Sequence, residues 1–345
     1  MMNPDSKRIL MVRNDKLGDF MLAYPAFALL KQSLPDVEVY ALVPEYTREM
    51  AELCPWIDHI ITDPGKAQGN AGLFKLIKQL RRLKLHSVIT LFSTTRIGLA
   101  AFSAGIPYRL APATKLAQLF YNHRLPQRRS RSEKPEYAYN LDLVRYYLQA
   151  HACTITEDPQ APFLSFEQQE IDDLKRGFCV ANQFDSTRPI IFIHPGSGGS
   201  ANNLSLTQYA NLATRLSAGN AVNIVISAGP GELQQTQQLA ALVDEKQCAI
   251  YHSTEGLKRF AQHIQFADVF ISGSTGPLHI AGALNTPTVA FYPRRQSATA
   301  LRWQTLNTPE KRLAFSPPPD AEEGDMSRID IKEVAGKIEA AYLRR

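Results

Sequence analysis

The stretch RILMVRNDKLGDFMLAYPA, residues 8–26, runs from an apolar, β-strand-like segment (Arg8 to Val12) through a short polar loop into a helical pattern ending near Leu34. Strand, tight loop and helix in that order form the first βα unit of a parallel sheet. In open α/β sheets, ligands bind at the carboxyl ends of the strands. A turn there ordinarily offers glycines to a phosphate, but this one offers Asp19 directly after Gly18. Asp19 stands where a helix N-cap belongs, and capping is one reading of it. The other is a carboxylate set at the ligand edge to act as a general base. Pro25 lies too deep for a first-turn proline, which predicts a kink or restart of the helix.

The same rhythm continues outward. Strand-like runs at 37–43, 59–62 and 86–92 alternate with helical patterns at 45–53 and 73–83. Further helices are expected at 95–104, 114–121 and 136–150. The rhythm pauses at the polar, proline-containing stretch 157–162, which suits a linker. After a helix at 165–178, a second series of strands is expected at 189–194, 223–227, 249–252, 268–271 and 288–292. Two α/β domains in tandem are expected, 1–164 and 165–329, each with a parallel sheet, closed by a helix over 330–344 at the end of the chain. At 345 residues the chain is long for one domain and comfortable for two.

Four cysteines, Cys54, Cys153, Cys179 and Cys248, are far apart and match no metal spacing, so they read as reduced, buried thiols. Charged residues interrupt the N-terminal apolar run, so no signal peptide is expected, and no stretch approaches the roughly 20 apolar residues of a membrane span. A cytoplasmic protein is expected. The net charge of +5 is unevenly placed: from Pro64 to Ser132 there are 13 Lys/Arg, Lys115 among them, and no Asp or Glu. A one-sign stretch of that length attracts phosphates or anionic lipid heads. It carries no nucleic-acid motif and no regular aromatic interleaving, and no nucleic-acid partner is expected.

Three further segments end strands in small residues. IFIHPGSGGSANNLS, residues 191–205, leads into Pro195-Gly196-Ser197-Gly198-Gly199-Ser200, whose backbone N–H groups can approach a diphosphate; a flexible loop is the plain alternative. ISAGPGELQQ, residues 226–235, places Glu232 at a helix start, where it favours the dipole or accepts from ribose hydroxyls. ISGSTGPLHIAGAL, residues 271–284, has Ser274 or Thr275 to cap a helix, Gly276 and Pro277 to open it, and His279 in its first turns. The free N–H groups and the dipole make an anion site. His279 alone reads as a packing residue. The chain contains no DxD, HExxH or GxSxG and no paired CxxC motifs.

These four segments, in this order, resemble the signatures of the family 9 glycosyltransferases, which include the heptosyltransferases of lipopolysaccharide core assembly. FYPRRQSATALRW, residues 291–303, also looks familial, and the likeness covers residues 7 to 335. The resemblance implies a GT-B fold, two Rossmann-like domains facing across a cleft. It implies an inverting, metal-independent transfer from an ADP-sugar co-substrate, ADP-heptose in the first instance, to an anionic glycolipid acceptor at the inner face of the cytoplasmic membrane. No cofactor is implied. Asp19 takes the place of the family's base. Ser197, Gly198, Asn202, Glu232, Ser274, Thr275, Gly276 and His279 fall on the donor side, and Lys16, Arg128, Arg129 and Arg131 are assigned to the acceptor. Two departures stand out. Asn202 occupies the place of a phosphate-binding Lys, with Leu204 where a Trp often follows, and Ser274 replaces an acidic residue. Arg294, Arg295 or Lys16 could supply the missing cation. The rival readings are a family member using another nucleotide sugar and a catalytically silent nucleotide- or glycolipid-binding protein. A dinucleotide oxidoreductase is the weakest, since the first βα unit lacks GxGxxG.

Overall fold

In the computed structural model, residues 8–114, 116–198, 202–243 and 248–343 are described; Lys115, Gly199 and Ser200 lie outside them. The chain divides into two compact units at Gln160/Ala161. The segment 161–164, expected in the first domain, joins the second because the Phe163 and Leu164 N–H groups both donate to Ala283 O.

The first unit runs β1 (Arg8–Val12), α1 (Leu17–Met21), α2 (Tyr24–Ser33), β2 (Glu38–Pro44), α3 (Arg48–Glu52), β3 (His59–Asp63), α4 (Gly69–Arg82), β4 (Ser87–Thr90), α5 (Thr95–Ser103), β5 (Tyr108–Pro112), β6 (His123–Leu125) and α6 (Glu136–Ala150). Its six strands are all parallel, in the order β3-β2-β1-β4-β5-β6. The order reverses between β1 and β4, and loops at such a switch point diverge to leave a crevice. One face of the sheet packs Leu10, Val12, Leu42, Ile61 and Val88 against Leu76 and Leu80 of α4 and Ile97, Ala100 and Ala101 of α5. α2, buried from Tyr24 through Leu30, packs on α6.

The helix expected at 19–34 is two helices. Pro25 is tolerated because it falls in the first turn of the second one, where its missing N–H costs nothing. The Leu22 carbonyl at the break accepts from Asn140 Nδ2 at 3.0 Å. The helix expected at 114–121 is a 3₁₀ segment, Leu116–Phe120.

The second unit runs α7 (Gln168–Ala181), β7 (Ile190–His194), α8 (Leu206–Gly219), β8 (Asn223–Ala228), α9 (Leu233–Ala240), β9 (Cys248–His252), α10 (Gly256–Gln265), β10 (Val269–Gly273), α11 (Gly276–Ala283), β11 (Thr288–Phe291), β12 (Arg312–Phe315) and α12 (Ile331–Ile338). Its sheet is again six-stranded and parallel, ordered β12-β11-β10-β7-β8-β9, with the reversal between β7 and β10. α12, entered through an N-cap carboxylate at Asp330, buries Ile331, Val334, Ala335 and Ile338 in the core of this unit. β5, β6 and β12 were not expected from sequence. Each is short, and β6 and β12 are half-exposed edge strands with an Arg in them. Among the described residues no helix is long and apolar enough to cross a membrane.

Candidate functional site

In the first unit the chemistry gathers at the carboxyl end of β1. Asp19 is not a cap: the N-cap of α1 is Lys16, which makes no side-chain cap, and Asp19 is the third residue of the helix. Its carboxylate turns instead to Arg13, the residue immediately after β1. The Arg13 side chain is 2% exposed and is bonded at all three nitrogens: Nη2 on Asp19, Nε on Asp15 at 2.9 Å, and Nη1 on Glu136 at 2.9 Å and Asn140 at 3.2 Å. Glu136 and Asn140 sit one turn apart on α6, so one helix face closes the far side of the guanidinium. Arg129 Nη1 joins Glu136 at 2.6 Å from the other side.

Burial works against the Arg13 charge, but Asp15, Asp19 and Glu136 outweigh it and hold Arg13 protonated. Burial also pushes the Asp19 carboxyl up to about 6, with Asp15 and Glu136 adding to the rise and Arg13 opposing it. The rise wins because the Arg13 charge is shared among three carboxylates. A carboxylate in that range is a competent base near neutral pH.

A second group lies beside it. Asp63, at the end of β3, accepts from Arg96 Nη1 at 2.7 and 2.9 Å and from the Gly65 N–H at 3.0 Å. Of the expected acceptor residues, Arg129 joins the Asp19 network through Glu136. Lys16 and Arg128 are exposed, and Arg131 lies 3.6 Å from Glu133.

In the second unit all three small-residue loops lie at the carboxyl ends of β7, β8 and β10. Glu232 ties the first two: Oε1 accepts from the Gly198 N–H at 3.1 Å and Oε2 from the Gly229 N–H at 2.9 Å. A Cβ at residue 196 would stand 2.1 Å from the Glu232 carboxylate, so a side chain there would displace Glu232 from the two loops that it ties. Gly198 turns the chain at φ +51°, which glycine adopts without strain. Buried His194 lies 3.6 Å from Glu232 and is held neutral by burial, the Glu232 charge opposing. Asn203 braces the loop by donating to Pro195 O at 2.7 Å and accepting from Tyr209.

Thr275 is the N-cap residue of α11, yet its hydroxyl pairs with Ser272 Oγ at 3.1 Å rather than with the helix. The Gly276 and Leu278 N–H groups of the first turn are therefore left without a side-chain cap, Pro277 between them having no N–H, beside the half-buried Ser274. His279 is 2% exposed, and burial lowers it to about 4, so it is a neutral core residue. Asn202 approaches Gly324 O at 3.5 Å, and a Cβ on Gly324 would stand 3.1 Å from Asn202 Nδ2 and 3.2 Å from Arg295 Nη2. The exposed Arg295 guanidinium is thus a neighbour of the position where the resemblance expects a Lys. Arg294 is committed elsewhere, donating to Pro318 O and Pro319 O.

The sequence reading missed Arg13, Glu136 and Asn140. A signal existed: an Arg directly at the end of a buried strand needs acceptors, and Glu and Asn four residues apart on one helix supply them. Among the described residues no three His, Cys, Asp or Glu are grouped as metal ligands.

Comparison with known proteins places this geometry. Residues 73–308 match the family described as glycosyltransferase family 9 (heptosyltransferase). A protein of Haemophilus influenzae described as a putative glycosyltransferase is 48% identical over 334 residues, 96% of each chain. Lipopolysaccharide heptosyltransferase 2 of Escherichia coli is 24% identical, over 83% of this chain and 82% of that one. The solved structure of E. coli ADP-heptose lps heptosyltransferase II superposes with a TM-score of 0.76 at 20% identity, covering 97% of this chain and 98% of that one. The two six-stranded parallel sheets with their helices are those of the GT-B heptosyltransferases.

Proposed function

The chain belongs to glycosyltransferase family 9, and within that family we propose that it moves heptose, or a closely related sugar, from an ADP-sugar to a lipopolysaccharide core acceptor, with inversion and without a metal ion. The observation that carries this reading is the division of labour between the two sheet edges. The second unit offers what a nucleoside diphosphate needs: an uncapped helix N-terminus, a glycine loop fixed by Glu232, and the Arg295 guanidinium beside Asn202. The first unit offers a largely buried carboxylate raised toward neutrality, which a donor site would not want and a base requires.

In the proposed step Asp19 takes the proton of the acceptor hydroxyl. The freed oxygen attacks the anomeric carbon from the face opposite the diphosphate. The bond to the ADP oxygen breaks through an oxocarbenium-like transition state, inverting the centre. Negative charge develops on ADP, where the backbone N–H groups at the start of α11, Ser197 and Arg295 receive it. Positioned donors stand in for the metal that a DxD pair would hold. Glu232 keeps its remaining lone pairs for the ribose. The lipid-anchored acceptor puts the reaction at the inner face of the cytoplasmic membrane.

Thermal shift with ADP, UDP, GDP and CMP in the presence of a chelator tests the donor assignment, because a ligand of the folded state alone raises the melting temperature. A shift selective for ADP is expected. A shift confined to UDP or GDP contradicts the ADP-sugar and favours another donor. No shift with any nucleotide removes the donor site altogether.

A further inference from the structure

The charge-asymmetric segment of the first unit also carries its apolar exposure. Among the described residues, five of the ten exposed large apolar side chains fall between Gly69 and Phe120; Phe92 stands by Arg13, and the other four are Phe74 at 69%, Phe102 at 54%, Leu116 at 74% and Leu119 at 72%. They belong to one layer. α4 and α5 cover the same face of the sheet, with Leu76, Leu80, Ile97, Ala100 and Ala101 turned inward. Phe74, Lys78 and Arg81, spaced i, i+4, i+7, therefore line the outer side of α4. Arg81 reaches across to Ser103 O at 2.6 Å, tying that stripe to the end of α5. Phe102 there meets Phe120 at 6.1 Å between centroids, and Gly98 admits Phe120 against the helix, which joins α5 to the 3₁₀ segment bearing Leu116 and Leu119.

We propose that this α4–α5–3₁₀ face docks the protein on an anionic phospholipid surface, with Phe74, Phe102, Leu116 and Leu119 entering the headgroup boundary and the surrounding Lys and Arg pairing with lipid phosphates. Interfacial binding needs apolar side chains and cations on one surface, and both are here without a single acid between Pro64 and Ser132. A second copy is the wrong occupant: a two-fold contact lays a patch on itself, and this patch would meet only like charge. Nucleic acid uses the cations but gains nothing from exposed leucines. The assignment deepens the function proposed above, resting on its lipid-anchored acceptor.

The full-length protein is sedimented, without substrates, with phosphatidylglycerol vesicles and with phosphatidylcholine vesicles. Binding to the former and little to the latter is expected. Each cation at the surface contributes a factor of about five, so Lys75→Gln with Lys78→Gln, both exposed and three residues apart on α4, weakens binding about 30-fold. Phe74→Ser with Leu119→Ser weakens it by at least about tenfold. Both variants keep wild-type transfer to a lipid-free acceptor, which also shows that they fold. Equal binding of variants and wild type, pelleting without vesicles, or release from phosphatidylglycerol by RNA at low stoichiometry overturns the assignment. Transfer to the lipid-free acceptor without vesicle binding overturns the docking face alone. Vesicle binding without transfer to any acceptor overturns the function and leaves the face.

Discussion

Replacing Asp19 by Asn separates the cost of a buried base from its use. A carboxyl raised from 3.8 to about 6 binds its proton more tightly in the folded protein than in the unfolded chain. The stability it lends is fully present below about pH 4 and is lost as the pH rises through about 6. The rise corresponds to about 3 kcal/mol at neutral pH, an upper bound because the structure can relax around the charge. Asn keeps the shape and leaves an oxygen for Arg13, which retains Asp15 and Glu136. Asp19→Asn should therefore melt close to wild type near pH 4 and several degrees higher at pH 7.5, the gap opening between about pH 4 and 6. The assay is a pair of thermal melts across that range. Turnover should fall roughly 100- to 10,000-fold at every pH, the usual worth of a positioned base. A variant that melts below wild type at pH 7.5, with the deficit growing as pH rises, would refute the reasoning: the Arg13 pair would then dominate and Asp19 would be a poor base.

Glu136→Gln removes one of the two carboxylates that raise Asp19, so the acid limb of kcat/KM should move to lower pH; a limb that moves upward contradicts the network. Glu136→Ala strips a buried acceptor from both Arg13 and Arg129 and should cost about 3 kcal/mol in denaturant melts, whereas a loss below about 1 kcal/mol would show that the guanidiniums find water. Gly196→Ala drives a methyl into the Glu232 carboxylate; weaker nucleotide binding by calorimetry is expected, with about 1–3 kcal/mol of overpacking. Arg295→Ala should lower turnover at least about tenfold, and adding Asn202→Lys should restore part of it, since either cation serves the same anion. No rescue would place the leaving-group charge elsewhere.

The βα rhythm was legible because buried parallel strands read as unbroken apolar runs, as in Ile190–His194 and Val269–Gly273. β6 and β12 were not, because edge strands a few residues long are held by one neighbour and need no apolar run. Asp19 was legible as an oddity of position, and its environment was not: Arg13 and Glu136 are 123 residues apart, and only the packing of α6 beside the β1 loop brings them together. The donor loops were legible as small-residue strand ends. The strap that fixes two of them, Glu232 on the backbones of Gly198 and Gly229, was not legible, since the sequence offered that carboxylate only the helix dipole or ribose hydroxyls as partners. Arg295 became distinguishable from Arg294 through contacts alone, since adjacent arginines look alike in sequence.

The central claim is tested most directly by ADP release. The purified protein is incubated with ADP-heptose and a heptose-accepting core glycolipid in excess chelator, with each substrate omitted in turn. The account predicts ADP formation and a glycosylated lipid only when both are present, undiminished by the chelator and slowed at least about 100-fold in Asp19→Asn. ADP formation that needs added metal, or that runs at the wild-type rate in the variant, would contradict it.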